Sequence, residues 1–334
     1  MNRHVFLGGA GFIGYHLSDY FSKSGDNEVL VIDSLIRGES DKFFKDLCER
    51  KNLTFLNLDL CDSEGLTKVL RQDDIVFNLA ALNGTQNFYN EPMSVLRNTA
   101  ITSIVAAEAC AKVEVSKYVY FGSSESYAGA IQLGLSAIPT PENTPFAFPD
   151  PTNLRWSYGM SKSIGEVACH SLHQEKGTDF LICRVHNIFG PRMGLEHVIP
   201  DLIVKFLNGD MGVHGKDETR SFMFVSDLVS IIGQVYLHRD YNNSVVNIGN
   251  STETSILDLA ESIRRKLNIT EPVKPLESIP GSVLRRVPDL TFMNKFTKLI
   301  PTSLSEGLDL TISYYLENLP TRLPKKLGQQ NLRS

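Results

Sequence analysis

The chain has 334 residues, enough for about two domains at roughly 150 residues each. Its 38 acidic against 33 basic residues leave a formal charge of −5, which argues against nucleic acid and anionic membrane as partners, since both are held by clustered Lys and Arg. With 42% hydrophobic and 21% charged residues, the composition excludes disorder over most of the length.

Short apolar runs at His4–Leu7, Val29–Ile32, Leu53–Leu58, Ile75–Leu79 and Tyr118–Phe121 predict strands covered on both faces. Helical spacing separates them, over Phe12–Phe21 and Met93–Val113, and strict alternation predicts βαβ units in an α/β, doubly wound parallel sheet. From Gly129 to Pro151 the prolines 139, 141, 145, 149 and 151 break the pattern into a loop, and one longer than about 15 residues is more often functional than idle. Helical spacing resumes over Leu154–Leu172, and Phe180–Val185 reads as a sixth strand. Beyond Gly190 the elements shorten to a strand at Val245–Ile248, a helix at Ile256–Leu267 and a last helix from Ser303, where Ser303-Leu304-Ser305-Glu306 fits a capping box. The expected division is a nucleotide-binding domain of 1–188 plus 221–250, a smaller C-terminal substrate domain of 189–220 plus 251–325, and a tail of 326–334, with loose texture already from Arg322.

The five cysteines, Cys48, Cys61, Cys110, Cys169 and Cys183, are scattered and form no C-x-x-C pair, so neither a disulfide framework nor a zinc site is expected. No 18-residue apolar run exists, and Arg3 and His4 lead into glycines rather than a signal-peptide core; the expected compartment is the cytoplasm.

Gly8-Gly9-Ala10-Gly11-Phe12-Ile13-Gly14 follow the first strand and open the first helix. Gly8 suits a tight turn, Gly11 lets a pyrophosphate approach the helix N-terminus, and Gly14 permits close helix-to-sheet contact. A plain glycine-rich turn has the same spacing, so context decides. Asp33 ends the second strand, where a carboxylate can accept from adenosine ribose hydroxyls. Ser34-Leu35-Ile36 follow without a cation and Arg37 comes only later, which favours NAD over NADP. Asp59 and Leu60 after the third strand could receive the adenine amine. Asn78, Leu79, Ala80 and Ala81 after the fourth offer small residues where a dinucleotide passes close to backbone. All would line the C-terminal edge of one sheet, where open α/β folds bind ligands.

Tyr158 and Lys162 are four apart on a predicted helix and share a face, while Met160, Ile164, Val167 and Ser171 fall opposite. A phenol with pKa near 10 needs a shift of about 3 units to act as a base at neutral pH, and one neighbouring cation supplies about 1 to 3. Lys162 is borderline alone, and an oxidised nicotinamide would add positive charge. Taken by itself, the spacing fits a solvated helix pair equally well. Ser123 and Ser124, however, end the fifth strand at the same sheet edge, where a hydroxyl could hold the substrate oxygen that Tyr158 deprotonates.

These residues, with Asn98-Thr99 and Tyr158-Gly159-Met160-Ser161-Lys162, resemble the extended short-chain dehydrogenase/reductase family, in its nucleotide-sugar epimerase/dehydratase branch. The likeness spans nearly the whole chain. It implies a Rossmann domain that binds NAD, with Asn98 among the cofactor residues. Arg184-Val185-His186-Asn187-Ile188-Phe189-Gly190-Pro191-Arg192 is similar to the branch's R-x-x-N-x-Y-G-P-R motif, with Phe189 in place of tyrosine. By that resemblance Asn187 and Arg192 contact the sugar nucleotide, His197 and Val198 sit by its base, and Arg220 and Arg286 clamp its diphosphate, which suits the planar fork of arginine. A homodimer through a four-helix contact is implied too, formed by the Met160 stripe with Val95, Ile101, Val105 and Ala109; burial inside one chain is the alternative.

The sequence departs from the branch after the fifth strand. Dehydratases carry an Asp-Glu pair after the hydroxyl residue and sugar-acid decarboxylases Ser-Glu, but here the residues are Glu125-Ser126, followed by Tyr127 and Ala128. Glu125 is either a proton donor or acceptor or a substrate-hydroxyl and structural group. The expected reaction is oxidation at C4 of a nucleoside-diphosphate hexose, with 4-epimerisation the first choice. Dehydration, decarboxylation and net oxidoreduction are alternatives, as is a non-catalytic NAD sensor, although such a protein typically loses the tyrosine or lysine retained here. Trp156 is expected to pack at its helix terminus, and His170, His173 and His186 lack metal-ligand spacing.

Overall fold

The computed structural model describes residues 3–37, 40–278 and 283–319. Seven parallel strands form the main sheet: β1 (Arg3–Leu7), β2 (Glu28–Asp33), β3 (Leu53–Asn57), β4 (Asp74–Asn78), β5 (Lys117–Ser123), β6 (Asp179–Val185) and β7 (Ser244–Ile248). Their spatial order is β7-β6-β5-β4-β1-β2-β3. The chain winds outward from β1 to β3, then returns to place β4 on the other side of β1. That reversal opens a crevice at the C-terminal ends of β1 and β4.

Alternation along each strand builds two cores. Phe6, Val31, Phe77, Val119 and Leu181 point to one face, and Val5, Leu7, Ile32, Val76, Tyr118, Tyr120 and Ile182 to the other. Covered on both sides, β1, β4 and β5 are buried at every residue, which is why they read as unbroken apolar runs. A third core, made by Phe189, Ile199, Leu202, Phe206, Phe222, Phe224, Leu259, Ile263, Leu308 and Ile312, supports a smaller lobe. Leu290 and Met293, expected in the substrate domain, pack into the first core, whereas Phe222 and Phe224, expected in the nucleotide domain, pack into the third.

Local chemistry sets several boundaries. The Ser303 hydroxyl accepts from the Glu306 amide at 3.2 Å and starts the helix Leu304–Asn318, as the capping pattern predicts. The loop expected from Gly129 starts later, because Ala128–Gln132 closes one more helical turn. A Cβ on Gly129 would lie 1.9 Å from the Ala147 carbonyl, so only glycine lets the returning loop pack there. A π turn at Arg97–Ile101 joins the helices Pro92–Leu96 and Thr102–Val113, shifting the helical phase. Val95 and Ala109 consequently face inward, correcting their expected place in a contact stripe; Val105 is half-buried, and Ile101 and Ile104 are exposed. The expected tail lies outside the described residues. No helix among those described is long and apolar enough to cross a membrane, and no cluster of His, Cys, Asp and Glu among them could hold a metal ion.

Candidate active site

The glycine loop follows β1 directly. Gly8 adopts φ +77°, donates to the Ile32 carbonyl at 2.8 Å, and leaves no space for a Cβ, which would lie 2.9 Å from Ala80 backbone. A Cβ on Gly14 would meet the Gly8 carbonyl and Gly9 Cα at 2.6 Å, so the helix Phe12–Ser22 seats directly on the loop. Gly11 differs: a Cβ there would meet only the Gly8 carbonyl, at 3.3 Å, and no side chain caps the helix it starts. An open face at an uncapped helix N-terminus fits a pyrophosphate.

Asp33 accepts from the Ala10 amide at 3.0 Å and the Leu35 amide at 2.8 Å. Burial raises its pKa, and those two bonds oppose the rise. Its carboxylate thus ties the glycine loop to the turn after β2, at the ribose position that the sequence predicts. Ala80 is buried, and Leu79 and Ala81 are half-buried at the end of β4. Other expected cofactor residues serve packing: Phe12 and Ile13 lean on the first core, and Leu60 lies within the second. Asp59 is exposed and accepts from the Cys61 amide. Asn98 turns its amide to the Ser94 carbonyl at 2.8 Å, along its own helix. Its neighbour Thr99 is fully buried, and its hydroxyl accepts from the Leu82 amide at 3.1 Å, which anchors the loop after β4.

Tyr158 and Lys162 project from the tyrosine helix (Trp156–Lys176) toward the ends of β4 and β5, where both are buried. The Tyr158 ring stacks on Phe88 at 5.2 Å and 14°. Burial and then Glu125 raise the phenol's pKa, while Arg37 and the Ser123 hydroxyl, which bonds to it, oppose the rise. Lys162 donates to the Phe121 carbonyl at 2.7 Å, and its ammonium lies 6.0 Å from the Tyr158 ring centroid. Burial lowers the lysine to about 7 against the pull of Glu166. The expectation that Lys162 acidifies the phenol is therefore corrected: in this state its proton is spent on backbone and the phenol is the weaker acid. Ser124, also buried, begins the 3-10 turn Ser124–Tyr127, and the Ser123 hydroxyl caps that turn by accepting from the Glu125 amide at 3.2 Å.

Glu125 sits among arginines. Its Oε1 accepts from Arg286 Nη1, and its Oε2 lies 3.5 Å from Arg155 Nη2. Burial alone would raise its pKa, but Arg286, Arg155 and Arg220 hold it at about 2. The carboxylate is thus ionised and has no proton to give at neutral pH. Arg286 and Arg220 are register partners on the short parallel strands Arg285–Arg286 and Thr219–Ser221, so the lobe presents two guanidinium groups together. Arg220 Nη2 pairs with Glu218 at 2.7 Å.

The Asn187 amide donates to the Ser221 carbonyl at 2.9 Å, at the junction of sheet and lobe. His197 precedes the helix Val198–Leu207, half-buried like Val198; burial, aided by Arg37, lowers it to about 4, so it is neutral at physiological pH. Arg192 is placed elsewhere than expected. Its Nε donates to Asp41 at 2.8 Å and its guanidinium stacks 4.1 Å above the Tyr15 ring, on the N-terminal half.

Two residues escaped the sequence reading. Arg155, three positions before Tyr158, carries no motif of its own. Arg37, discounted there as too distant from Asp33, reaches Glu196 at 3.4 Å and lies close enough to bias Tyr158 and His197. Trp156 packs against Ala128 and Val283, His170 is exposed, and His186 is buried against Tyr127 at 2.5 Å.

Residues 5–249 match the NAD dependent epimerase/dehydratase family. The chain is 28% identical over 331 residues to a UDP-N-acetyl-alpha-D-glucosaminuronate decarboxylase of Bacillus cytotoxicus, covering 94% of this chain and 98% of that one. Among solved structures, a UDP-glucose 4-epimerase of Thermotoga maritima with UDP-glucose superposes with a TM-score of 0.82 at 25% identity, covering 95% of this chain and 100% of the other. A UDP-N-acetylglucosamine 4-epimerase of Methanobrevibacter ruminantium, in complex with UDP-N-acetylmuramic acid, gives 0.82 at 28%, covering 95% and 98%.

Proposed function

The chain belongs to the NAD-dependent epimerase/dehydratase family, and from that premise we propose that it is a 4-epimerase of a nucleoside-diphosphate hexose. The observation that carries this reading is the convergence of Tyr158, Ser123 and Ser124 at the sheet edge with an ionised Glu125 beside them. NAD, held by the glycine loop and Asp33, supplies a reversible store for hydride and the positive charge of its oxidised ring. Tyr158 takes the C4 hydroxyl proton, Ser124 holds the same oxygen, and Lys162 orients the site while bonded to the Phe121 carbonyl. Arg220 and Arg286 hold the diphosphate, with Asn187 and His197 toward the nucleotide. Turning the keto sugar about its diphosphate tether and returning the proton from Tyr158 completes epimerisation without a further acid. Dehydration at C6 calls for a protonated group to assist the leaving hydroxyl, and Glu125 at about 2 cannot provide one.

A decarboxylase is the second reading. It is favoured by Arg155, a buried guanidinium near Tyr158 that could receive a sugar carboxylate, and by the printed function of the Bacillus cytotoxicus relative. We further propose a homodimer. Met160, Ile164 and Val167 on the tyrosine helix and Ile101 and Ile104 beside it form an exposed apolar face on packed neighbouring helices. The five free cysteines support a reducing compartment such as the cytoplasm.

The test is to denature the purified protein, identify the dinucleotide released, and screen nucleotide sugars by mass and NMR. An isobaric product supports the epimerase. Loss of carbon dioxide supports the second reading, and loss of water, or net cofactor reduction without return, overturns both.

A further inference from the structure

Glu125 connects three separate parts of the molecule. It lies in the 3-10 turn after β5, and its backbone carbonyl is so close to the tyrosine helix that a Cβ on Gly159 would stand 2.6 Å away. One carboxylate oxygen reaches Arg155 at the start of that helix and the other reaches Arg286 in the lobe. Arg155 is 7% exposed and Arg286 6%, and the Nε of each has no hydrogen-bond partner. A guanidinium has five N–H donors, so both arginines keep donors in reserve although their positions are fixed. Counting Arg155, Arg220 and Arg286 against Glu125 and Glu218, the cluster carries one net positive charge with little access to water. A desolvated cluster of that kind is stable with an anion of matching geometry beside it.

We infer that Glu125 is a positioning residue: by clamping Arg286 and Arg155 from the turn that carries Ser124, it fixes the guanidinium groups that receive the substrate's diphosphate relative to Tyr158. The inference rests on the reading of Arg286 as a diphosphate ligand. Glu125 also exerts an opposing effect, because its negative charge disfavours ionisation of Tyr158. The other groups around that phenol are Arg37, Ser123, Tyr120, Lys162 and the Phe88 ring. Removing the charge should therefore loosen substrate binding and at the same time make the phenol easier to ionise. A purely structural residue would not produce these two changes together.

The experiment uses the full NAD-loaded chain and Glu125→Gln, with calorimetric binding of UDP, dTDP, GDP and CDP. Wild type should bind at least one, and the variant should bind it at least ~10-fold more weakly, with NAD affinity unchanged. With the sugar nucleotide that turns over, KM should rise by a similar factor, kcat should change less, and the acid limb of the pH profile should move to lower pH. Glu125→Gln with Arg155→Gln restores the charge balance should the single variant fold poorly; binding should stay weak, because Arg286 is still unanchored. Equal or tighter binding by either variant, or a kcat loss of ~10³-fold at constant KM, as for a proton-transfer group, overturns the inference while leaving the enzyme reading intact. If wild type binds none of the four nucleotides, the diphosphate reading falls and the inference falls with it.

Discussion

Tyr158 is the residue on which the chemistry depends, and its surroundings raise its pKa rather than lowering it. Phenolate formation therefore awaits the positive charge of the bound cofactor, so Tyr158→Phe should reduce turnover by at least ~10³-fold while released-dinucleotide analysis still finds NAD. Asp33→Ala should weaken NAD more than NADP in titrations, since the carboxylate serves a free ribose; equal losses would confine Asp33 to tying the two loops. Glu125 predicts an acid response. Its folded pKa of about 2 lies below its ordinary 4.5, so its stabilising contribution is complete above pH 4.5 and is lost as pH falls toward 2. Urea midpoints should fall in that window, and Glu125→Gln should flatten the drop. Glycines, tyrosine and lysine were legible in the sequence because spacing along one strand-turn-helix unit defines their geometry. The Glu125–Arg286 contact was not, since it joins residues 161 apart. Arg192 was misplaced for the same reason: a motif position does not show that Tyr15 and Asp41 will hold its side chain.

At the scale of elements, buried parallel strands announce themselves as apolar runs, and all seven were readable within a residue or two. The lobe was less legible, because its strands, such as Thr219–Ser221 and Arg285–Arg286, are too short to show a period of two. The helix across Arg97–Ile101 shows how a local irregularity defeats a helical wheel: one π turn rotates everything after it, so the outward stripe is carried by Ile101 and Ile104 rather than by Val95 and Ala109. If that stripe and the tyrosine helix form the dimer contact, Ile164→Glu with Val167→Glu should give a monomer in analytical ultracentrifugation, with NAD still bound. A variant that sediments as wild type would place any self-association elsewhere.

For the whole molecule, the two lobes cannot be separated by a single cut. Leu290 and Met293 return from the late part of the chain to the first core, and β7 seals the edge of β6. A chain ended at residue 243 leaves β6 with an unpaired edge, and its soluble yield should fall by about tenfold relative to a chain ended at residue 319. Comparable yields would show that the sheet tolerates the missing strand. The late placement of β7 also affects synthesis. A ribosome that has completed the tyrosine helix has already made the glycine loop, but the nascent sheet stays open at β6 until about seventy more residues emerge. During that interval the growing polypeptide is most exposed to wrong pairing, and chaperone demand should peak there rather than at either terminus.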